Sequence, residues 1–145
     1  MAELDERLRI LVVDDSAVSR KLAEIALSGK PYMVEFAKDG REALDLFAIH
    51  QPDIVITDWT MPGMTGPELC TMIRNGLNSS DTYLILLTSN SGDAHKAEGL
   101  AAGADAHLTK PLRPSQLLGV IHTARGVIRM RRRMREEQVA GEKKT

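Results

Sequence analysis

Arg9-Ile10-Leu11-Val12-Val13-Asp14-Asp15-Ser16 is the stretch that decides the fold. Its apolar run is β-branched at three positions and too short for a helix, so it reads as a strand buried on both faces. The run stops at two carboxylates and a serine, where Asp15 or Ser16 can cap a following helix. Working outward, the same unit recurs. Asp53-Ile54-Val55-Ile56-Thr57 ends at Asp58, Tyr83-Leu84-Ile85-Leu86-Leu87 ends at Thr88-Ser89, and a short strand over 105–109 ends at Lys110-Pro111. Tyr32–Ala37 alternates weakly and suits a sheet edge.

Amphipathic segments separate these strands. The first spans 17–28 with an apolar stripe of Leu22, Ala23, Ile25 and Ala26, closed by Gly29-Lys30-Pro31. A second follows Asp39-Gly40 and carries Ala43, Leu44, Phe47 and Ala48. A third, over 68–75, comes after the turn-rich loop 61–67. A fourth covers about 94–102, and a last one begins near Pro114-Ser115. Five strands alternating with five helices predict an α/β fold with a doubly wound parallel sheet. For five strands the favoured order is 2-1-3-4-5, the flavodoxin-like arrangement, here with an extended C-terminal helix.

Composition agrees with one folded domain. The chain has 145 residues, 43% hydrophobic and 27% charged, a globular balance that excludes wholesale disorder. No apolar run reaches the roughly 18 residues of a membrane span. The acidic start, Met1 to Arg7, lacks the order of a secretory signal. Cys70 is the single cysteine, so neither an internal disulfide nor a cysteine zinc site is available. A cytoplasmic protein is expected. The net charge of −1 conceals an asymmetry: residues 125–145 carry eight basic and three acidic side chains, and residues 1–124 carry eleven and seventeen. The chain is therefore divided into a body, 1–124, and a basic helical extension or linker with a polar tail, 125–145.

In a doubly wound sheet, ligands bind beyond the carboxyl ends of the strands, at the switch point between strands 1 and 3. Asp14-Asp15, Asp58, Thr88 and Lys110 occupy those ends, and strands lie about 4.8 Å apart, so the side chains converge. Two like charges about 4 Å apart repel by about 4 kcal/mol at an effective dielectric of 20. Such a cluster raises a carboxylate pKa or recruits a cation, and hard oxygen ligands suit Mg²⁺. A carboxylate can also attack phosphorus and form an aspartyl phosphate. Positioning and cationic stabilisation then carry the transfer, with Lys110 and the Thr88 hydroxyl on the phosphoryl oxygens.

The motifs Val12-Val13-Asp14-Asp15-Ser16, Asp58 to Gly66, Leu87-Thr88-Ser89, Gly103-Ala104-Asp105-Ala106 and Lys110-Pro111 resemble those of a response-regulator receiver domain of two-component signalling. They stand in family order over roughly residues 8–124. The resemblance implies that Asp58 accepts a phosphoryl group from a sensor histidine kinase or histidine phosphotransfer protein. It implies a Mg²⁺ ion on Asp15, Asp58 and the Thr60 backbone carbonyl, with Asp14 acting through water. It gives Lys110 to the phosphoryl oxygens or the Asp58 carboxylate, makes Thr88 the group that moves toward phosphate, and implies a cis Lys110-Pro111 bond. Ser89 meets the family's demand for a small residue after the threonine. His107 stands where the family carries a switching Tyr or Phe, and an imidazole can swing between exposed and buried rotamers. The module is expected to switch the face of the fourth helix and fifth strand. It is a signalling module and not an enzyme, beyond Mg²⁺-dependent self-phosphorylation from small donors and autodephosphorylation.

Other residues have plainer readings. Trp59 covers the site or meets a partner from the surface, Cys70 fills the core, and His50, His95 and His122 are solvated helix positions. Val120, Val127 and Met134, with Thr123 and Met130 between them, recur at heptad spacing. The tail thus permits a homodimer stalk, a connector to a downstream output domain, or a solvated helix end whose arginines meet the negative end of the macrodipole. It has no aromatic residue to stack on bases or insert into lipid, which argues against nucleic acid or membrane. Two rival functions share parts of this chemistry, an aspartyl-phosphate phosphatase of the haloacid dehalogenase type and a flavodoxin-like cofactor binder. The first wants Asp-x-Asp after strand 1, and the second a hydroxyl- and glycine-rich loop there.

Overall fold

A computed structural model describes residues 7–77, 79–89 and 92–144. Five parallel strands, β1 (Leu8–Val13), β2 (Tyr32–Ala37), β3 (Ile54–Asp58), β4 (Tyr83–Thr88) and β5 (Ala106–Thr109), alternate with helices α1 (Ala17–Leu27), α2 (Gly40–His50), α3 (Gly66–Gly76), α4 (Asp93–Ala101) and α5 (Pro114–Lys144). The sheet order is β2-β1-β3-β4-β5. In-register pairing of Val13 with Thr57, and of Asp58 with Leu87, brings the carboxyl ends of the three central strands level.

Side-chain alternation along the strands divides the core into two layers. Ile10, Val12, Ile54, Ile56, Ile85 and Leu87 face α1 and α5, where Ala23, Leu27, Leu117, Ile121 and Ile128 meet them. Leu11, Val13, Val55, Leu84 and Leu86 point to the other side, against Ala43 and Phe47 of α2 and Leu69, Cys70 and Ile73 of α3. Each fully buried aliphatic contributes about 1.5–3 kcal/mol, and cutting one such as Leu86 to alanine costs about 2–5 kcal/mol. Cys70 is wholly buried, and burial pushes its thiol up to about 12, as befits a core filler.

Several local expectations change. On α1 the core face is Ala23 and Leu27, whereas Leu22 and Ile25 are exposed, because the helix lies on the sheet by its small residues. Helix α3 begins at Gly66, two residues before the expected start. Thr65 and Glu68 form a reciprocal capping box around it, and Pro67 fits the first turn, where its missing N–H is not needed.

Helix α5 runs on without interruption through the compositional break at residue 125. Its inner stripe, Leu117, Ile121, Ala124 and Ile128, is buried to the last of these. Beyond it, Arg131 pairs with Asp105 at 2.5 Å, and Arg132 and Arg135 pair with Asp53 and Asp81. These three arginines are therefore neither a purely solvated end nor free cations: they fasten the helix to the amino end of the sheet. Thr145, at the end of the expected tail, lies outside the described residues.

Candidate functional site

The site grows from the ends of four strands, β1, β3, β4 and β5, and the tight turns that follow β1 and β3. Asp14 follows β1, its backbone N–H donating to Ala37 O at 3.0 Å. One carboxylate oxygen, Oδ1, accepts from Ser16 N at 2.9 Å, while Ser16 caps α1 by accepting from Ser19 N at 3.2 Å. The chain direction therefore reverses over Asp14-Asp15-Ser16 with both carboxylates at the positive end of α1. Asp58 closes β3. The loop after it returns so tightly that Gly66 N donates to Trp59 O at 2.8 Å. A Cβ on Gly66 would stand 2.5 Å from Asp58 O, so only glycine allows this approach.

The three carboxylates each offer an oxygen within 4.8 Å of the others, among them buried Asp14, buried Asp58 and exposed Asp15. Lys110, reaching over from the end of β5, places Nζ 3.1 Å from Asp58 Oδ1 and 3.7 Å from Asp14 Oδ2. Its backbone N–H donates to Thr88 O at 2.8 Å, which ties the lysine to the neighbouring threonine, and the Lys110-Pro111 bond is cis. Thr88 is buried at the end of β4 and Ser89 beside it is exposed. Thr60 is exposed in the loop after Asp58.

Charge is unbalanced here: one lysine faces three aspartates. Burial pushes the Asp14 carboxyl upward, the Asp58 and Asp15 charges add to this, and the Ser16 N–H and Lys110 work against it. Asp14 Oδ2 is buried with no hydrogen bond. A buried acceptor left unmet beside two other carboxylates is the arrangement a hard divalent cation relieves. The three carboxylates are hard oxygen donors of the kind that fits Mg²⁺.

A second set of side chains covers the β3–β5 side of the site. Trp59 is buried, not at the surface as expected, and stacks on His95 of α4 at 3.5 Å between ring centroids. His95 is thus no merely solvated position. Likewise His50 approaches Glu35 at 3.4 Å. His107 points inward, its ring 6.3 Å from Trp59 and its Nε2 buried without a hydrogen bond. Burial is the main force holding its pKa down, helped by His95 and Lys96. A Cβ on Gly99 would run into His107 Nε2, so α4 carries a glycine where the imidazole enters. The sequence reading missed this partnership of His95, Gly99 and Trp59. The available signal was Gly99 one turn after His95 on the same helical face.

A doubly wound sheet with acid cluster and lysine at its switch point defines a class, the flavodoxin-like signalling receivers. The chain belongs to the response regulator receiver domain family, which it matches over residues 10–122. It is 42% identical over 111 residues to the response regulator MprA of Mycolicibacterium vanbaalenii, covering 77% of this chain and 47% of that protein. It is 41% identical over 115 residues to the probable transcriptional regulator ycf27 of Guillardia theta, covering 79% and 44%. The chain thus spans about half the length of these curated relatives. Among solved structures it resembles the chemotaxis protein CheY4 of Vibrio cholerae, with a TM-score of 0.77 and 36% identity over 81% of this chain and 98% of that one. It also resembles the signal receiver domain of an HD domain-containing protein of Pseudomonas fluorescens, with a TM-score of 0.80 and 31% identity over 86% and 99%. The phosphatase and flavodoxin-like cofactor alternatives are not favoured by these matches. Receivers of this family are phosphorylation-switched signalling modules. Among the described residues no helix is long and apolar enough to cross a membrane.

Proposed function

We propose that Asp58 is the phosphoacceptor and that its donor is a phosphohistidine on a sensor kinase or phosphotransfer protein, met in the cytoplasm. A carboxylate oxygen of Asp58 attacks phosphorus. The P–N bond breaks, the electron pair stays on the donor imidazole, and that ring takes up a proton from solvent. Lys110 balances the charge gathering on the phosphoryl oxygens, and the Thr88 hydroxyl closes on one of them, with Ser89 leaving room. Mg²⁺, held by Asp15, Asp58 and the Thr60 carbonyl with Asp14 through water, would supply further charge neutralisation. The gathering of Asp14, Asp15 and Asp58 within 4.8 Å around a lysine carries this reading.

Intact-mass spectrometry with acetyl phosphate tests it. One phosphoryl group should add to the wild type with Mg²⁺, and none with EDTA or in Asp58→Asn. Equal labelling of both chains would reject the assignment.

Phosphate brings about −1.5 to −2 charge. By drawing Thr88 and Lys110 inward it would shift the inward and outward states of His107 and so the α4–β5 face. Unchanged amide exchange over 88–110 on phosphorylation would refute this. Helix α5 serves as the connector to an output domain. Exposed Met130 and Met134 on its free face favour pairing with a second copy. Sedimentation should show a dimer that Met130→Glu/Met134→Glu dissolves, and an unaltered monomer in both would end the stalk reading.

A further inference from the structure

Arg20 is the fourth residue of α1, and its guanidinium turns back along the helix to the end of β1. There Nη1 donates at 2.7 Å to the backbone carbonyl of Asp14. A cation is disfavoured at the positive end of a helix, and α1 has no acidic side chain in its first turn to offset it. Arg20 therefore stands against the local preference, a kind of departure that concentrates at functional sites. Its bond acts on the turn that carries two of the three carboxylates. Asp14 N donates to Ala37 O at 3.0 Å, and Asp14 Oδ1 accepts from Ser16 N at 2.9 Å. With the Asp14 carbonyl held as well, the plane of the Asp14–Asp15 peptide is set. So is the direction in which the exposed Asp15 side chain leaves the backbone.

We infer that Arg20 is a positioning residue for Asp15: its hydrogen bond to the Asp14 carbonyl aims the Asp15 carboxylate at a divalent cation shared with Asp58. This rests on the Mg²⁺ reading of the acid cluster given above. The guanidinium grips a neutral carbonyl and not a carboxylate, so its contribution is orientation rather than neutralisation. The two roles carry opposite signs. A bare positive charge beside the cluster repels Mg²⁺, and removing it alone would tighten binding. Removing the hydrogen bond frees the peptide, so the ion must order Asp15 as it binds, and affinity falls.

Titration of the full chain with MgCl₂, followed by NMR at the amides of residues 13–16 and 57–60, tests the role. Arg20→Met keeps an unbranched stem and removes the donors, and it should weaken Mg²⁺ about tenfold. Arg20→Lys retains a donor and should recover most of that loss. In an Asp15→Asn background, Arg20→Met should change the affinity by less than about twofold, because the ligand it aims is gone. Acetyl phosphate labelling of Asp58 should be slower in Arg20→Met at limiting Mg²⁺, and the deficit should close as Mg²⁺ is raised. Urea denaturation in EDTA reports that each variant is folded. Unchanged or tighter Mg²⁺ binding by folded Arg20→Met would overturn the inference. So would a lysine that restores nothing, an equal loss with and without Asp15, or a labelling deficit that persists at saturating Mg²⁺. A wild type without saturable shifts at these amides would remove the Mg²⁺ reading itself and Arg20's role with it, a failure distinct from one confined to the variants.

Discussion

At the carboxyl end of the sheet Asp14, Asp15 and Asp58 crowd together around Lys110, whereas at the amino end Asp53, Asp81 and Asp105 each meet an arginine. Asp105 accepts from Arg74 Nη2 at 2.7 Å, Arg131 Nη2 at 2.5 Å and Leu84 N at 2.8 Å. Arg131 also lies over the Tyr83 ring, 5.8 Å from its centroid. Asp14, by contrast, has a buried oxygen with no hydrogen bond. The same side chain is thus a fastener at one pole and a source of tension at the other. Whether nearby cations match its charge and its lone pairs decides which. Aspartates that the fold leaves unmatched are the ones available for an ion or a phosphoryl group.

The largest expected effect tests the fastening pole. Asp105→Ala takes the carboxylate from two guanidinium groups, which keep only backbone carbonyl acceptors, and from the Leu84 N–H, a loss of about 3–5 kcal/mol for a partly buried network. The urea midpoint should fall accordingly and the melting temperature by about 10 °C. Labelling of Asp58 at low temperature should persist, because the acid cluster is untouched. A loss under about 1 kcal/mol would mean that the arginine pairs are ordinary surface pairs and the contrast between the poles is empty.

Asp14→Asn has the opposite sign and sharpens the contrast. Removing one of three crowded charges should stabilise the ion-free chain by about 1 kcal/mol, while weakening Mg²⁺ binding. The pH dependence follows from the raised Asp14 pKa. The folded chain holds this proton more tightly than the unfolded one, so ionised Asp14 costs stability above its folded pKa. That cost fades as pH falls toward the ordinary carboxylate range. The variant's advantage should therefore be full at neutral pH and vanish on acidification. Denaturation in EDTA across this range measures it, and a destabilised variant at neutral pH would show that Asp14 is matched after all.

The two poles also differed in how legible they were. Each component of the acid cluster stands directly at the end of an apolar run, so strand, turn and site residue are written within a few positions of each other. Parallel pairing then levels the ends, and Asp14, Asp58, Thr88 and Lys110 needed no further information to be placed side by side. The fastening pole depends on partners far apart in sequence: Asp53 and Arg132 are 79 positions apart. Which face of α5 lies on the sheet sets those pairs. The stripe Leu117, Ile121, Ala124 and Ile128 specifies it, but Val120, Val127 and Met134 offer a competing stripe one position away. His95 was equally hidden, since a histidine on a helix reveals a stacking partner only when a loop 36 positions earlier is laid beside it.

The smallest effect concerns the side chains between the poles' chemistry and the β5 face. His107 is inward, its pKa held down by burial, with His95 and Lys96 of α4 as the facing charges. The unfolded chain therefore binds the proton first as pH falls below about 6.5. Stability supplied by the neutral inward ring is present above that pH and lost as the folded pKa is passed. A charged imidazole whose Nε2 has no acceptor must leave its place over Gly99, and the ring beside Trp59 then moves. Trp59 is the chain's single tryptophan, so its fluorescence reads this directly. The acid-induced change should persist in His95→Gln, which removes the stacked imidazole, and disappear in His107→Phe, which fills the same space without titrating. A response that instead vanishes in His95→Gln would place the sensitive group on α4 and leave His107 as packing.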